Sequence, residues 1–357
     1  MRILILKPSS LGDVIQALPL LRLLKLHDPA SEIHWWLAAD LVPLLAGDPD
    51  LESIIPFDRR FYRSLRSLGR TLAEIRRMRQ FRFDWVIDLQ GLARSGAFAW
   101  LANGGFMVGL DTHREGARGF YDLVVPRPSP TAHAVDWYLN VLSALSVPIH
   151  WNFTWLPARP VTAAEIRRQW NTDARRWVLL SPGARWANKR WPVEHFSELV
   201  TRLSTERPDL RFAVLGSRAD RSLGAAIRGA NADVCLDLTG KTSLPELVEW
   251  IRLSELVVTN DTGPMHVAAA LGKPVVALFG PTDPRHTGPY RQPDGVLRHS
   301  SLPCLPCMKS TCAFDRPNEC LTGLETTRVY AEVMARLAAG TSSQIPVLPG
   351  TGPARDR

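Results

Sequence analysis

Residues 2–27 read RILILKPSSLGDVIQALPLLRLLKLH: a short apolar run, a loop of small and polar residues, then apolar positions returning at helical spacing. An apolar run without alternation is a strand buried on both faces, and the helix after it can cover one of them. EIHWWLA (32–38) and DWVIDLQG (84–91) repeat the strand pattern with helix-like stretches between. This order implies a parallel sheet with helices on both faces. A second series follows the Pro-rich stretch LPARPVT (156–162): WVLLSPG, a helix after Trp191-Pro192, RFAVLGS, a helix from Ala219, ELVVTND, PMHVAAALG, PVVALFGP and a last helix over about 325–338. The reading is of two similar α/β halves, residues 1–156 and 157–338, with the linker near residues 156–163. The tail 339–357 is rich in Gly, Pro and Ser, cannot build a core and is expected to be disordered.

With 357 residues, the chain is long enough for two cores rather than one. Apolar residues at 45% and charged residues at 22% fit a folded protein and exclude a disordered one. The first apolar run breaks at Lys7 and Pro8, too early for a secretory signal, and no stretch reaches the ~20 apolar residues of a membrane span. A cytoplasmic protein is expected. The net charge of +8 calls for an acidic partner. Much of it is local: nine arginines lie between Arg59 and Arg82, against the single acid Glu74. They lack interleaved aromatics or a recognised nucleic-acid module, so no nucleic acid is expected.

Three loops carry chemistry. Ser9-Ser10-Leu11-Gly12-Asp13 follows the first strand, where open parallel sheets place their ligand crevices. Asp13, in the first turn of the next helix, could serve as general base toward a hydroxyl; capping by Ser10 or Asp13 is the structural alternative. Ser181-Pro182-Gly183-Ala184 closes a strand, and Lys189-Arg190-Trp191-Pro192 opens a helix. Cations beside exposed amides suit a diphosphate, although a solvated loop would read the same. Thr259-Asn260-Asp261-Thr262-Gly263-Pro264-Met265-His266 runs from a buried strand into a helix, with Gly263 allowing close backbone approach. Phe279-Gly280-Pro281-Thr282-Asp283-Pro284 closes another strand and could rim the same pocket.

SSLGD, WVIDLQGLARS, KRWP, NDTGPMH and FGPTDP, in this order and spacing, resemble glycosyltransferase family 9, the ADP-heptose:lipopolysaccharide heptosyltransferases. The N-terminal half is most similar to heptosyltransferase I. The resemblance implies a GT-B fold, two Rossmann-like domains whose parallel sheets face across a cleft, with the acceptor on the first and the donor on the second. It implies inverting transfer of heptose from ADP-heptose to the inner core of lipopolysaccharide, either Kdo-lipid A or an already heptosylated core. By the same resemblance Asp13 is the base and Lys189 the lysine of the leaving diphosphate. Gly183, Ala184, Arg185, Arg190, Asp220, Asp261, Thr262, Gly263 and His266 bind the donor, and Ser10, Gly12, Arg59, Arg60, Arg63 and Arg118 the acceptor, with Arg94, Arg114 and His133 as further candidates. No cofactor is expected for transfer. The partners are an ADP-sugar and an anionic lipopolysaccharide precursor, met by a monomer in peripheral contact with the inner membrane surface. Ala184 and Arg185 stand where the resembled enzyme tends to carry two threonines, and Asp220 stands near a donor-binding glutamate. These departures leave room for another nucleotide-activated sugar and a different surface glycan. A non-catalytic nucleotide-sugar-binding protein is the alternative of another class.

Two patterns imitate metal sites. Asp48-Pro49-Asp50 has the Asp-x-Asp form, but Gly47 and Pro49 make it a turn. Cys304, Cys307, Cys312 and Cys320, spaced C-x2-C-x4-C-x7-C, could hold a structural zinc or be reduced structural cysteines, with Cys235 apart. Trp35, Trp36 and Trp85 lie in strand patterns and read as core rather than sugar platforms.

Overall fold

The computed structural model describes residues 1–57, 68–299 and 301–339. In chain order the strands are β1 Arg2–Leu6, β2 Glu32–Ala38, β3 Ser53–Phe57, β4 Trp85–Asp88, β5 Phe106–Leu110 and β6 Leu123–Val125, followed by β7 Arg176–Ser181, β8 Leu210–Val214, β9 Cys235–Asp237, β10 Leu256–Asn260, β11 Val275–Phe279 and β12 Val296–Arg298. The helices are α1 Leu11–His27, α2 Val42–Leu45, α3 Leu68–Gln80, α4 Ala93–Ala102, α5 Ala134–Ala144, α6 Pro160–Trp170, α7 Val193–Glu206, α8 Arg221–Ala230, α9 Leu244–Leu253, α10 Gly263–Ala270, α11 Pro284–Thr287, α12 Glu319–Thr322 and α13 Thr326–Ala339.

Among the described residues the strands form two six-stranded sheets, ordered β3-β2-β1-β4-β5-β6 and β12-β11-β10-β7-β8-β9. All their pairings are parallel. Counted from its own first strand, the second sheet repeats the order of the first. Strand order reverses between β1 and β4 and again between β7 and β10. At such switch points the helices leave to opposite faces and open a crevice beyond the carboxyl ends of the strands.

The apolar runs are buried as their composition demands. Ile3, Leu4, Ile5 and Leu6 have no exposure, and neither do Val257 and Val258 of β10. Helix α1 is buried on every side from Val14 to Leu24, because it packs on α5 and on α10 of the second half as well as on its own sheet. Trp35 and Trp36 are buried and Trp85 is half-buried, so these strand tryptophans are core. Trp36 stacks on Phe98 with ring centroids 4.2 Å apart.

The Pro-rich stretch 156–162 spans the end of an irregular segment and the start of a helix. Proline fits the first turn of a helix, where its missing N–H costs nothing, and Pro160 begins α6 rather than breaking the chain. The crossing between the halves therefore occupies residues 145–159. Its last residues are clamped from both halves. Arg22 donates to the Trp155 carbonyl at 3.2 and 2.9 Å. From the second half, Arg252 donates to the carbonyls of Leu156 and Pro157 at 3.1 and 3.2 Å, and Glu249 accepts from the Arg159 amide at 3.1 Å. The expected tail lies outside the described residues, apart from its first position, Ala339, which ends α13.

Candidate active site

At the first switch point, Lys7 directly follows β1 and α1 starts four residues after it. Ser10 is the N-cap, and its amide and hydroxyl donate to Asp13 Oδ2 at 2.8 and 2.7 Å. The capping alternative is thus realised, and it engages only one carboxylate oxygen. Oδ1 stands 4.0 Å from Lys7 Nζ. The Asp13 side chain keeps 40% exposure, whereas Lys7 is 4% exposed. Lys7 Nζ donates to the Leu89 carbonyl at 2.9 Å and lies 5.0 Å from the ring centroid of Tyr138. Burial opposes the charge on Asp13, but Lys7 and the two Ser10 hydrogen bonds outweigh it and hold its pKa below the usual carboxylate range. Burial likewise opposes the charge on Lys7, and Tyr138, Asp13 and Asp88 reverse the balance, so its pKa stands above the ordinary value. In the sequence Lys7 is only the break in an apolar run, and a lysine closing a buried strand is the one signal it carries.

The neighbouring strand end supplies Asp88, fully buried. It accepts from the amides of Gln90 and Gly91 at 2.8 and 3.2 Å and from the Tyr121 hydroxyl at 2.7 Å. Burial, partly offset by these bonds and by Ser95, pushes its pKa up. Arg118 lies beyond β5, 56% exposed, with a guanidinium nitrogen 3.1 Å from Asp111. Arg94 and Arg114 are exposed. His133 caps α5, accepting from Val135 N at 3.2 Å, and its Nε2 lies 3.0 Å from the Gly288 carbonyl of the second half. Arg59, Arg60 and Arg63 fall outside the described residues.

At the second switch point, Asn260 joins the two strand ends. Its amide donates to the Pro182 carbonyl at 2.7 Å and its oxygen accepts from Trp191 N at 3.1 Å. That fixes Lys189 beside Asp261, whose Oδ2 accepts from Lys189 Nζ at 2.5 Å and from the Thr282 hydroxyl at 2.7 Å. Thr282 brings the 279–284 loop, expected at the pocket rim, into the site. Thr262 caps α10 and Gly263 is its first residue. Fewer amides are open here than the sequence suggested, since Pro264 has none and Met265 N–H reaches Thr262 O at 3.1 Å. Asp220 repeats the Asp13 arrangement, taking the Ser217 amide and hydroxyl at 2.8 and 2.7 Å. It packs so closely on Gly183 that a Cβ there would lie 2.5 Å from its carboxyl carbon. Arg185 is exposed and Ala184 buried. Arg190 braces its own loop, donating to the Ala184 carbonyl at 2.9 and 2.8 Å.

The two switch points meet. A Cβ on Gly12 would stand 2.3 Å from Cδ2 and 2.9 Å from Nε2 of His266, and one on Gly263 would stand 2.6 Å from a methyl carbon of Leu11. The first turns of α1 and α10 therefore touch through their glycines, and the expected cleft is closed to contact at this point. His266 is 8% exposed. Burial pushes its pKa down to about 4, against the pull of Asp261 and Asp13. It is neutral near pH 7.

The first metal look-alike resolves into another partner. Asp48 and Asp50 turn to Arg22, at 2.5 and 2.7 Å. Cys304, Cys307 and Cys312 are half-buried free thiols and Cys320 is a buried one. Burial and then Cys312, Cys307 and Cys304 push the Cys320 thiol up to about 11, so the four are neighbours. Among the described residues, however, no three Cys, His, Asp or Glu side chains form a group able to hold a metal. The zinc expectation thus lacks a ligand set. The loop makes a different contribution: Met308 N–H donates to the Pro281 carbonyl at 2.9 Å and Asn188 to the Lys309 carbonyl at 2.9 Å, bracing the loops that carry Thr282 and Lys189.

Residues 71–317 match the model of glycosyltransferase family 9 (heptosyltransferase). Lipopolysaccharide heptosyltransferase 1 of Pseudomonas aeruginosa is 30% identical over 95% of this chain and 99% of its own length. Lipooligosaccharide heptosyltransferase 2 of Haemophilus influenzae is 29% identical over 84% and 88%. Among solved structures, ADP-heptose lps heptosyltransferase II of E. coli superposes with a TM-score of 0.77 at 25% identity, covering 96% of this chain and all of that one. The E. coli heptosyltransferase WaaC with ADP-2-deoxy-2-fluoro heptose gives 0.74 at 25% identity, covering 94% and 99%.

Proposed function

The chain belongs to glycosyltransferase family 9, the heptosyltransferases, and from that premise we propose that it transfers heptose from ADP-heptose to the inner core of lipopolysaccharide with inversion at the sugar. The acceptor oxygen forms the new bond to the anomeric carbon as the bond from that carbon to the diphosphate oxygen breaks. The acceptor proton passes to Asp13, and ADP leaves with the bonding electrons. Lys189 and the amino-terminal end of α10 offer positive charge to the departing diphosphate. In the free enzyme Lys189 is paired with Asp261, so the donor phosphates must compete for it.

One observation supports this division of labour above the others. Two switch points, one ending in a carboxylate and one in a lysine, are pressed together through Gly12 and His266. A base and a leaving-group cation on opposite halves suit a reaction joining two substrates. Arg118 would hold anionic groups of the acceptor together with Arg59, Arg60 and Arg63. The same reading puts the enzyme in the cytoplasm, as a monomer resting on the inner face of the membrane. Among the described residues no helix is long and apolar enough to cross a membrane. Helices α3 and α4 pack side by side and expose Arg76, Arg79, Arg94 and Trp100, a combination suited to an anionic surface.

The test is ADP release from ADP-heptose with Kdo-lipid A as acceptor, alongside a panel of other ADP- and GDP-sugars. Asp13→Ala is expected to lose at least about 10²-fold in kcat, the weight of a general base, while binding ADP as before. Unchanged turnover in that variant would reject Asp13 as the base. Faster turnover of another donor would move the assignment to that sugar.

A further inference from the structure

We propose that Lys7 is a positioning residue for the transfer, holding the Asp13 carboxylate ionised and aimed beside the contact between the halves. The proposal rests on the reading of Asp13 as base.

An ammonium group this deeply buried is expensive unless it is paired, and Asp13 is the oppositely charged group that lies within reach of it. The other nearby carboxylate, Asp88, has partners of its own in Gln90, Gly91 and Tyr121. Its raised pKa also makes it a weaker counter-charge. The packing of β1 does not call for a cation. The hydrogen bond to the Leu89 carbonyl could come from a neutral amide, and the Trp35 indole reaches the Lys7 carbonyl, at 3.1 Å, whatever the side chain. The charge therefore needs a reason, and the geometry supplies one. Ser10 fixes Oδ2 while Lys7 faces Oδ1, so the carboxylate is defined by contacts at both oxygens.

The groups around this pair come from four elements: Asp88 at the end of β4, Tyr138 on α5, His266 on α10, and Lys7 and Asp13 themselves at the β1–α1 junction. His266 is neutral above about pH 4 and stands against Gly12, and the burial of Asp13 favours its protonated acid. Lys7 opposes that tendency. A carboxylate beside a cation is a weaker base, but the acceptor hydroxyl surrenders its proton only as its bond to carbon forms, so the ionised fraction of Asp13 sets the rate on the acid side.

The experiment measures kcat by ADP release from pH 5 to 9 for the wild type, Lys7→Gln and Lys7→Arg, with Asp13→Asn as reference and ADP binding as the check on folding. Lys7→Gln keeps an N–H for Leu89 and removes only the charge. It is expected to bind ADP normally, with its acid limb moved up into the measured range, so that kcat at pH 5 falls to about half of its value at pH 8 or lower, where the wild type is level. Lys7→Arg is expected to restore the wild-type limb. An unmoved limb in Lys7→Gln overturns the proposal, and so does loss of ADP binding, which would assign Lys7 to the fold. An active Asp13→Asn would bring down the base reading itself. An inactive Asp13→Asn beside an unmoved Lys7→Gln limb would bring down the role of Lys7 alone.

Discussion

Replacing Gly12 by alanine tests the contact between the halves with a single methyl group. Gly12 lies in the first turn of α1 with no positive φ, so alanine is unstrained there and only space is at issue. The added Cβ would stand 2.3 Å from the His266 ring, well inside contact distance, and either the ring or the second half has to move. Forced overpacking costs about 1–3 kcal/mol, and the helix preference of alanine returns at most about 1 kcal/mol. Because the contact exists only when the halves are together, the loss should fall on turnover. At 1.4 kcal/mol per factor of ten, kcat/KM should fall about 5-fold to 150-fold, with a smaller drop in urea midpoint. Gly229→Ala is the control. It sits in α8 with nothing within 4 Å of the added carbon and should stabilise by up to about 1 kcal/mol without changing turnover. If Gly12→Ala matches the wild type in both kcat/KM and urea midpoint, the ring moves aside freely and the close contact has no catalytic weight.

Acid should loosen the protein through His266. Its folded pKa of about 4 lies below the unfolded 6.5, so between these values the unfolded chain binds a proton that the folded chain refuses. The stability it contributes is complete above about pH 6.5 and is lost as the pH falls toward 4, with a ceiling of about 3 kcal/mol. Urea midpoints measured from pH 7 to 4 should fall less steeply in His266→Gln, and an identical slope would refute the assignment; the depressed pKa of Asp13 contributes to the slope in both proteins. On the surface, Trp100 is 58% exposed on α4, which packs on the helix that exposes Arg76 and Arg79. The protein should co-sediment with phosphatidylglycerol vesicles several-fold more than with phosphatidylcholine, and less so in salt or as Trp100→Ala. Equal sedimentation with both lipids would remove this face as the docking surface.

The alternation of strands and helices was legible because both sheets are parallel and doubly covered, which leaves unbroken apolar runs such as RILIL and LVV at β10. The loops at the switch points were legible for a related reason: Ser, Gly, Asp and Thr interrupt those runs where the chain must turn. What escaped depends on partners far along the chain. Lys7 finds Leu89 at a separation of 82 residues, and Asn188 finds Lys309 at 121. No local pattern announces either. The Asp48-Pro49-Asp50 turn was legible as a turn, but its partner Arg22 sits on a helix face that looks uniformly apolar in sequence. Pro160 is ambiguous in sequence, because a proline at the end of a linker and one at the start of a helix are written the same way. The arrangement around Arg190 shows the same limit, since its guanidinium bends back to its own loop.

The clamped crossing bears on how such enzymes can be recombined. A chimaera joined between residues 156 and 157 would keep Arg22, Asp48 and Trp155 on one parent and Glu249, Arg252 and Arg159 on the other. Each cluster is complete on its own side except for a grip across the join, in which Arg252 donates to the Leu156 carbonyl and Arg159 to those of Pro43, Leu44 and Ala46. That grip is to backbone, which every parent supplies. Halves from different relatives should therefore splice at this seam with the junction intact, so that their donor and acceptor preferences can be exchanged as separate modules, provided that the residues facing Gly12 and Gly263 come from compatible parents.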